Sequence, residues 1–185
     1  MKVFLIRHGK DDESVRGGWS GSPLTEDGIV QIKELAGDLA RRRESLGITR
    51  LFSSDLKRAA QTAEIIAPAL QLEIEYLPEF RETNNGLLAG MKNDEALIKY
   101  PGLFWSALAW DEHYPEGESP HEFHDRISKA WRDLKSTAKE SGGNVILVTH
   151  GGVINVIQCI EHGIDYSDKA NPFPIGNAEM IGISI

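Results

Sequence analysis

Apolar residues follow two alternating patterns along this chain. Short unbroken apolar runs, typical of strands buried on both faces, occupy residues 3–6 and 145–148. Between these runs apolar residues recur at helical spacing, first in the segment from Thr25 to about Arg43. Strands that alternate with helices predict an α/β fold, here a three-layer α/β/α sandwich with a mostly parallel central sheet.

Polar residues at the segment ends predict where the helices begin and end. Thr25 has the side chain of an N-cap for the first long helix. Ser119 has the same role later in the chain, with Glu122 placed to complete a capping box. Asp55 is the candidate N-cap of the helix after the second strand, and Pro68 is expected to end or kink that helix.

The remaining pattern predicts further strands at residues 49–53, 73–77 and 178–185. Residues 92–117 are irregular and are expected to hold one or two short helices. With 185 residues the chain fits a single domain, residues 1–185. Within it, residues 83–119 are predicted to cover a binding pocket.

Composition narrows the possible partners. The net charge of -8 argues against generic binding to nucleic acid or an anionic membrane. No stretch is long enough to span a bilayer, and the first apolar run is too short for a signal peptide. The only cysteine, Cys159, cannot form an internal disulfide. We therefore expect a cytoplasmic protein.

The two clearest strands each run into a histidine and a glycine. Arg7-His8-Gly9 follows the first strand, and His150-Gly151 follows the strand at 145–148. Because parallel strands place their carboxyl ends on one edge of the sheet, His8 and His150 are expected to converge there. Arg58, one turn inside the helix after the second strand, reaches the same edge. Two histidines and two arginines predict an oxyanion pocket, since the guanidinium fork suits phosphate.

Zinc is the main competing ligand for two histidines. The neighbouring arginines would repel a dication, and the chain has neither an HExxH motif nor a cysteine cluster. We therefore predict no metal site. The other histidines are expected to be structural or exposed; these are His113, His121, His124 and His162.

Together these motifs resemble the histidine phosphatase superfamily, in its phosphoglycerate-mutase-like branch. The resemblance covers nearly the whole chain, and its segments are Arg-His-Gly at 7–9, Trp-Ser-Gly at 19–21, residues 23–28 with Gln31, residues 53–63, Phe-Arg-Glu at 80–82 with Gly86 and Gly90, residues 115–119 with Arg126, residues 148–152, and Asn177. The chain departs from the usual pattern at Lys10, Ser14 and Ser22. These departures affect the expected substrate more than the expected reaction.

The resemblance implies a reaction through a phosphohistidine on His8. It also implies that Arg7, Arg58 and a protonated His150 neutralise the phosphoryl oxygens. Glu82 would donate a proton to the leaving oxygen and later accept one from water, a role that needs a raised pKa and a partly desolvated site. The implied substrate-binding residues are Ser14, Ser20, Gly21 and Gly151. No metal or organic cofactor is implied.

These features predict a metal-independent phosphomonoesterase that hydrolyses a small phosphorylated metabolite. A phosphoglycerate-type mutase, a phosphohistidine protein phosphatase and an inactive binding module on the same fold are the alternatives. The cover at 83–119 contains no arginine, only Lys92 and Lys99, which argues against a mutase. Trp105 and Trp110 are available to pack against an apolar or ring-like group. Lys10 and Arg16 are possible contacts for a distal anion, and the oligomeric state stays open.

Overall fold

The computed structural model describes all 185 residues. Five strands are present: β1 Lys2–Arg7, β2 Ile48–Ser53, β3 Ile74–Tyr76, β4 Asn144–Thr149 and β5 Met180–Ser184. Five α-helices accompany them: α1 Glu26–Leu46, α2 Lys57–Leu70, α3 Asn93–Lys99, α4 Pro120–Glu140 and α5 Gly151–His162. None of these helices is long and apolar enough to cross a membrane.

The strands form one sheet in the order β3-β2-β4-β1-β5. β1, β2, β3 and β4 run parallel, and β5 pairs with β1 antiparallel at one edge. The register of β1 against β4 places Arg7 opposite Thr149. The residues that follow, His8 and His150, therefore leave the sheet side by side.

Alternate residues of the central strands face two separate apolar cores. Val3, Leu5 and Leu147 contribute to a core with residues of α4 and α5, while Ile6 and Val148 contribute to a core with residues of α1 and α2. Helices thus cover both faces of the sheet. The predicted three-layer α/β/α architecture with a mostly parallel sheet is confirmed.

Two of the three predicted helix caps are confirmed. The Thr25 side chain accepts from Gly28 N–H, and Ser119 and Glu122 form a complete capping box. The prediction for Asp55 is wrong, because the N-cap position of α2 is Leu56. Asp55 instead accepts two hydrogen bonds from the Arg81 guanidinium, one of them 2.6 Å long. Two parallel hydrogen bonds from a guanidinium are stronger than a single bond from a backbone N–H, so Asp55 pairs with Arg81 instead of capping the helix.

The segment at 83–119 folds into short elements. It contains α3 and two 3₁₀ turns, Gly86–Leu88 and Trp105–Ala107. A small apolar cluster of Leu88, Leu108 and Tyr114 lies inside it. The prediction of short helices in residues 92–117 is confirmed.

Candidate active site

His8 and His150 lie together at the carboxyl edge of the sheet. Their ring centroids are 5.1 Å apart, and the rings are inclined at 57°. His8 is 4% exposed and His150 is fully buried. The expected convergence of the two strand ends is therefore present in the fold.

The hydrogen bonds of His8 fix its tautomer. Its Nδ1 lies 2.7 Å from the carbonyl oxygen of Gly9, so Nδ1 carries the proton. Its Nε2 accepts from Arg58 Nε at 3.1 Å. Burial, with a further contribution from the Arg58 charge, lowers the pKa of His8 to about 3. Nε2 therefore presents an unprotonated lone pair, which is the state that a nucleophile needs.

Arg58 is the centre of the buried cationic cluster. It is 2% exposed, and it donates to Gly18 O at 2.8 Å and to Ser20 Oγ at 3.3 Å. The Asp11 carboxylate lies 3.5 Å from Arg58 Nε. Burial raises the pKa of Asp11, whereas the nearby Arg58 charge opposes that rise. Asp11 therefore gives the pocket a carboxylate that the sequence analysis does not anticipate.

Arg7 supplies a second guanidinium beside the start of α5. Its Nη1 donates to Ile175 O at 2.6 Å, and its buried Nε has no hydrogen-bond partner. A Cβ added at Gly151 would lie 3.5 Å from Arg7 Nε, so the helix start passes close to this guanidinium. Arg7 therefore has a donor free for an anion.

His150 differs from the expectation of a protonated imidazole. Burial, followed by the charge of Arg58, lowers the pKa of His150 well below its ordinary value. The Ser54 hydroxyl lies 2.8 Å from Nε2 and also accepts from Leu56 N–H at 3.3 Å. The other ring nitrogen, Nδ1, is buried without a hydrogen-bond partner. His150 can offer one neutral hydrogen bond, and the positive charge comes from the arginines.

Glu82 lies at the mouth of this cluster and is partly buried. Its side chain accepts from Gly152 N–H at 3.0 Å and from Thr83 N–H at 3.1 Å. Its backbone carbonyl accepts from Trp19 Nε1 at 2.7 Å and from Arg126 Nη2 at 3.2 Å. These contacts hold the loop so that the carboxylate faces the start of α5.

The four expected substrate-binding residues separate into two groups. Ser20 and Gly151 lie against Arg58 and Arg7, inside the cluster. Ser14 is exposed and makes turn contacts with Asp12 and Asn93. Gly21 is also exposed, and a Cβ added there would meet nothing within 4 Å. Ser14 and Gly21 make no hydrogen bond to the histidines or arginines of the cluster, and their role in substrate binding stays a prediction.

An open cleft of about 460 Å³ extends outward from Glu82 and Gly152. Arg16, Trp105 and Asp168 line its walls. Lys10 instead pairs with Asp27 at 3.3 Å on the surface and is not among the lining residues. Trp110 is also absent from the lining, because it stacks on His121 of α4 with ring centroids 5.4 Å apart. Only one of the two tryptophans is thus positioned to meet a substrate.

Several residues that support the site carry weak sequence signals. Ser54 orients His150, yet a serine before a helix is a common feature with no direct link to a distant histidine. In the sequence, Arg126 and Trp19 are only parts of motifs, whereas in the fold both donate to the Glu82 backbone carbonyl. Asn177, another motif residue, donates to His8 O at 3.2 Å. These roles depend on long-range contacts that spacing along the chain does not reveal.

Comparison with known proteins places the chain in a family. The pattern of the histidine phosphatase superfamily (branch 1) matches residues 3–185. The chain belongs to this superfamily, and the resemblance inferred from the motifs is confirmed.

Individual relatives include both mutase-like and phosphatase proteins. The probable phosphoglycerate mutase GpmB of Escherichia coli O1:K1 / APEC is 36% identical over 157 residues, which cover 82% of this chain and 70% of that protein. The mycobacterial glucosyl-3-phosphoglycerate phosphatase Rv2419c, solved with VO3, has a TM-score of 0.79 at 27% identity, covering 99% of this chain and 90% of that one. The alpha-ribazole phosphatase from Shigella flexneri has a TM-score of 0.84 at 22% identity, over 100% and 91% of the two chains, and shows the shared fold.

Proposed function

We propose that this protein is a metal-independent phosphomonoesterase that hydrolyses a small phosphorylated metabolite through a phosphohistidine on His8. The observation that carries the proposal is the state of His8, a buried imidazole with its proton held on Nδ1 and its Nε2 lone pair directed at Arg58. A nucleophile in that state beside two guanidinium groups is suited to phosphoryl transfer.

In the first step His8 Nε2 attacks phosphorus. The N–P bond forms while the bond from phosphorus to the ester oxygen breaks, and the electron pair leaves with that oxygen. A protonated Glu82 gives its proton to the departing oxygen, which becomes a hydroxyl. Arg58 turns its Nε–H from His8 to a phosphoryl oxygen, and Arg7 Nε and His150 Nδ1 donate to the others.

In the second step water releases the phosphate. The water oxygen attacks phosphorus, the N–P bond breaks, and its electron pair returns to His8 Nε2. Glu82, now a carboxylate, accepts the proton of the attacking water and is restored to its acid form. Inorganic phosphate then leaves, and Arg58 can donate to His8 again.

The cleft supports a phosphatase rather than a mutase, which must hold a second anionic end of its substrate. The two lysines of the 83–119 cover do not line the cleft, and Lys99 is paired with Glu95 at 2.7 Å. Arg16 is the cation among the residues that line this cleft, and its guanidinium lies 4.5 Å from the Phe104 ring centroid. The similarity to a glucosyl-3-phosphoglycerate phosphatase also favours hydrolysis.

Incubation with 3-phosphoglycerate and a trace of 2,3-bisphosphoglycerate tests this choice. We expect conversion to 2-phosphoglycerate to be slow. We also expect the protein to release phosphate from a range of monoesters whose body is neutral. The 36% identical relative carries the name of a probable phosphoglycerate mutase, and a mutase would give the opposite outcome. Interconversion to 2-phosphoglycerate that outpaces phosphate release would assign the protein to the mutases.

The expected setting of the reaction is the cytoplasm, and the expected partner is the small-molecule substrate alone. The net charge of -8 argues against nucleic acid as a partner. Cys159 is buried and unpaired, which fits a reducing compartment. The chemistry described above needs no metal or organic cofactor, because the arginines supply the positive charge.

A further inference from the structure

Beyond Glu82 the cleft continues into a second, adjoining cavity of about 250 Å³. Trp105, Gly152 and Asp168 line both spaces. The combined cleft therefore runs from the acid at its inner end to a region between α5 and the turn at residues 166–171. A substrate whose phosphate reaches His8 would extend its leaving group toward this region.

Asn155 faces the outer region from α5. It lies one turn after Gly151 and Gly152, so it shares their helix face. The side chain is 5% exposed, and its Nδ2 donates to Ala170 O at 3.4 Å. Its Oδ1 is buried without any hydrogen-bond partner. Most buried amide oxygens accept a hydrogen bond, so the Asn155 oxygen can accept one from a bound ligand.

Asp168, in the turn at residues 166–171, provides a second acceptor in the same cavity. Its Oδ2 is buried and has no hydrogen-bond partner, and no cation forms an ion pair with it. The ammonium group of the adjacent Lys169 instead donates a hydrogen bond to Leu108 O at 3.2 Å. Arg16, also on the cleft wall, keeps its guanidinium against Phe104. An ionised carboxylate accepts but does not donate, so Asp168 favours donor groups and disfavours an anion.

An aromatic wall completes the region. Trp105 stacks on Tyr114 with ring centroids 5.9 Å apart, and its Nε1 lies 3.3 Å from the Tyr166 hydroxyl. These contacts fix the indole at the point where the two cavities meet. A flat apolar wall combined with a few polar groups is the usual composition of a site that orients a small molecule.

From this arrangement we infer that Asn155 and Asp168 form a specificity site for the leaving group. The two side chains accept hydrogen bonds from hydroxyl or amino groups on the substrate, while Trp105 packs against its carbon skeleton. The inference rests on the proposed phosphatase activity and narrows its substrates to monophosphates whose body carries hydrogen-bond donors. Sugar and polyol phosphates are one source of such donors, and amino-alcohol phosphates are the other.

The test compares three substrates in the purified full-length protein. Ribose 5-phosphate offers hydroxyl donors, O-phosphoethanolamine offers an ammonium, and phenyl phosphate offers neither. The variants are Asn155→Ala and Asp168→Ala, with Asp165→Ala as the control because Asp165 is exposed and lies outside both cavities. Asp168 lies in a turn, whereas Asn155 lies in α5. Asp168→Ala therefore provides a second test if Asn155→Ala folds poorly.

We expect each site variant to lower kcat/KM for the preferred donor-bearing substrate by about 10- to 100-fold. Phenyl phosphate hydrolysis should stay at the wild-type rate, which shows that the phosphoryl-transfer centre is intact. A selective loss on ribose 5-phosphate identifies hydroxyl donors, and a selective loss on O-phosphoethanolamine identifies an amine.

Two outcomes overturn the inference while leaving the phosphatase assignment in place. One is the absence of any change on either donor-bearing substrate in the site variants, and the other is an equal change on all three substrates. If the wild-type protein releases phosphate from none of the three and forms no phosphohistidine on His8 with any of them, the proposed function fails and the inference fails with it.

Discussion

Acidification should destabilise the fold through the same burial that keeps His8 neutral. The pKa of His8 is lowered from 6.5 to about 3 in the folded protein, whereas the unfolded chain keeps the ordinary value. Between these two values the unfolded state binds a proton that the folded state does not. The free energy of unfolding therefore falls as the pH drops below 6.5, by at most about 1.4 kcal/mol per pH unit for this one group.

Substitution of His8 by asparagine removes this contribution. From pH 6.5 down to about 4, the His8 contribution amounts to about 3 kcal/mol, so the stability of the wild-type protein should fall by that much more than the stability of His8→Asn. Urea unfolding at several pH values measures both curves. His162→Asn is the control, because His162 is exposed at the end of α5. Parallel curves for wild type and His8→Asn would refute the claim that burial keeps His8 neutral.

The remaining predictions concern the reaction. Glu82→Gln should slow alkyl phosphates by about 10²- to 10⁴-fold and spare aryl phosphates with acidic leaving groups; an equal loss on both types in the phosphorylation step would exclude a general acid role. Gly152→Ala should also slow alkyl phosphates more than aryl phosphates, since the added Cβ would lie 2.4 Å from Glu82 Oε1 and displace that carboxylate. An unchanged ratio of alkyl to aryl phosphate rates would contradict this. Saturating chelator should leave activity intact, and a loss restored by a divalent ion would show a metal requirement.

The features that the sequence predicts correctly are those set by local pattern. The apolar runs of β1 and β4 specify strands buried on both faces, and the capping box of Ser119 and Glu122 specifies the start of α4. The position of His8 beside His150 follows from the parallel register of those strands. Each of these inferences needs only nearby residues and the general rules of sheet geometry.

The features that cannot be predicted from the sequence depend on contacts between distant segments. Asp55 precedes a helix, yet Arg81 from another loop takes its carboxylate. The charge state of His150 depends on complete burial beside Arg58, and burial is a property of the folded chain. The acceptors of the outer cleft, Asn155 and Asp168, have no motif at all, and they become visible only as polar atoms without partners.

The most direct measurement of the central claim is the detection of phosphate on His8. Substrate is mixed with the enzyme, the reaction is quenched in base, and the modified peptide is identified by mass spectrometry. The proposal predicts an acid-labile phosphoryl group on His8 in the wild-type protein and none in His8→Ala, which should also lose turnover. Full turnover by His8→Ala, or stable labelling of a different residue in both proteins, would contradict the assignment of His8 as the nucleophile.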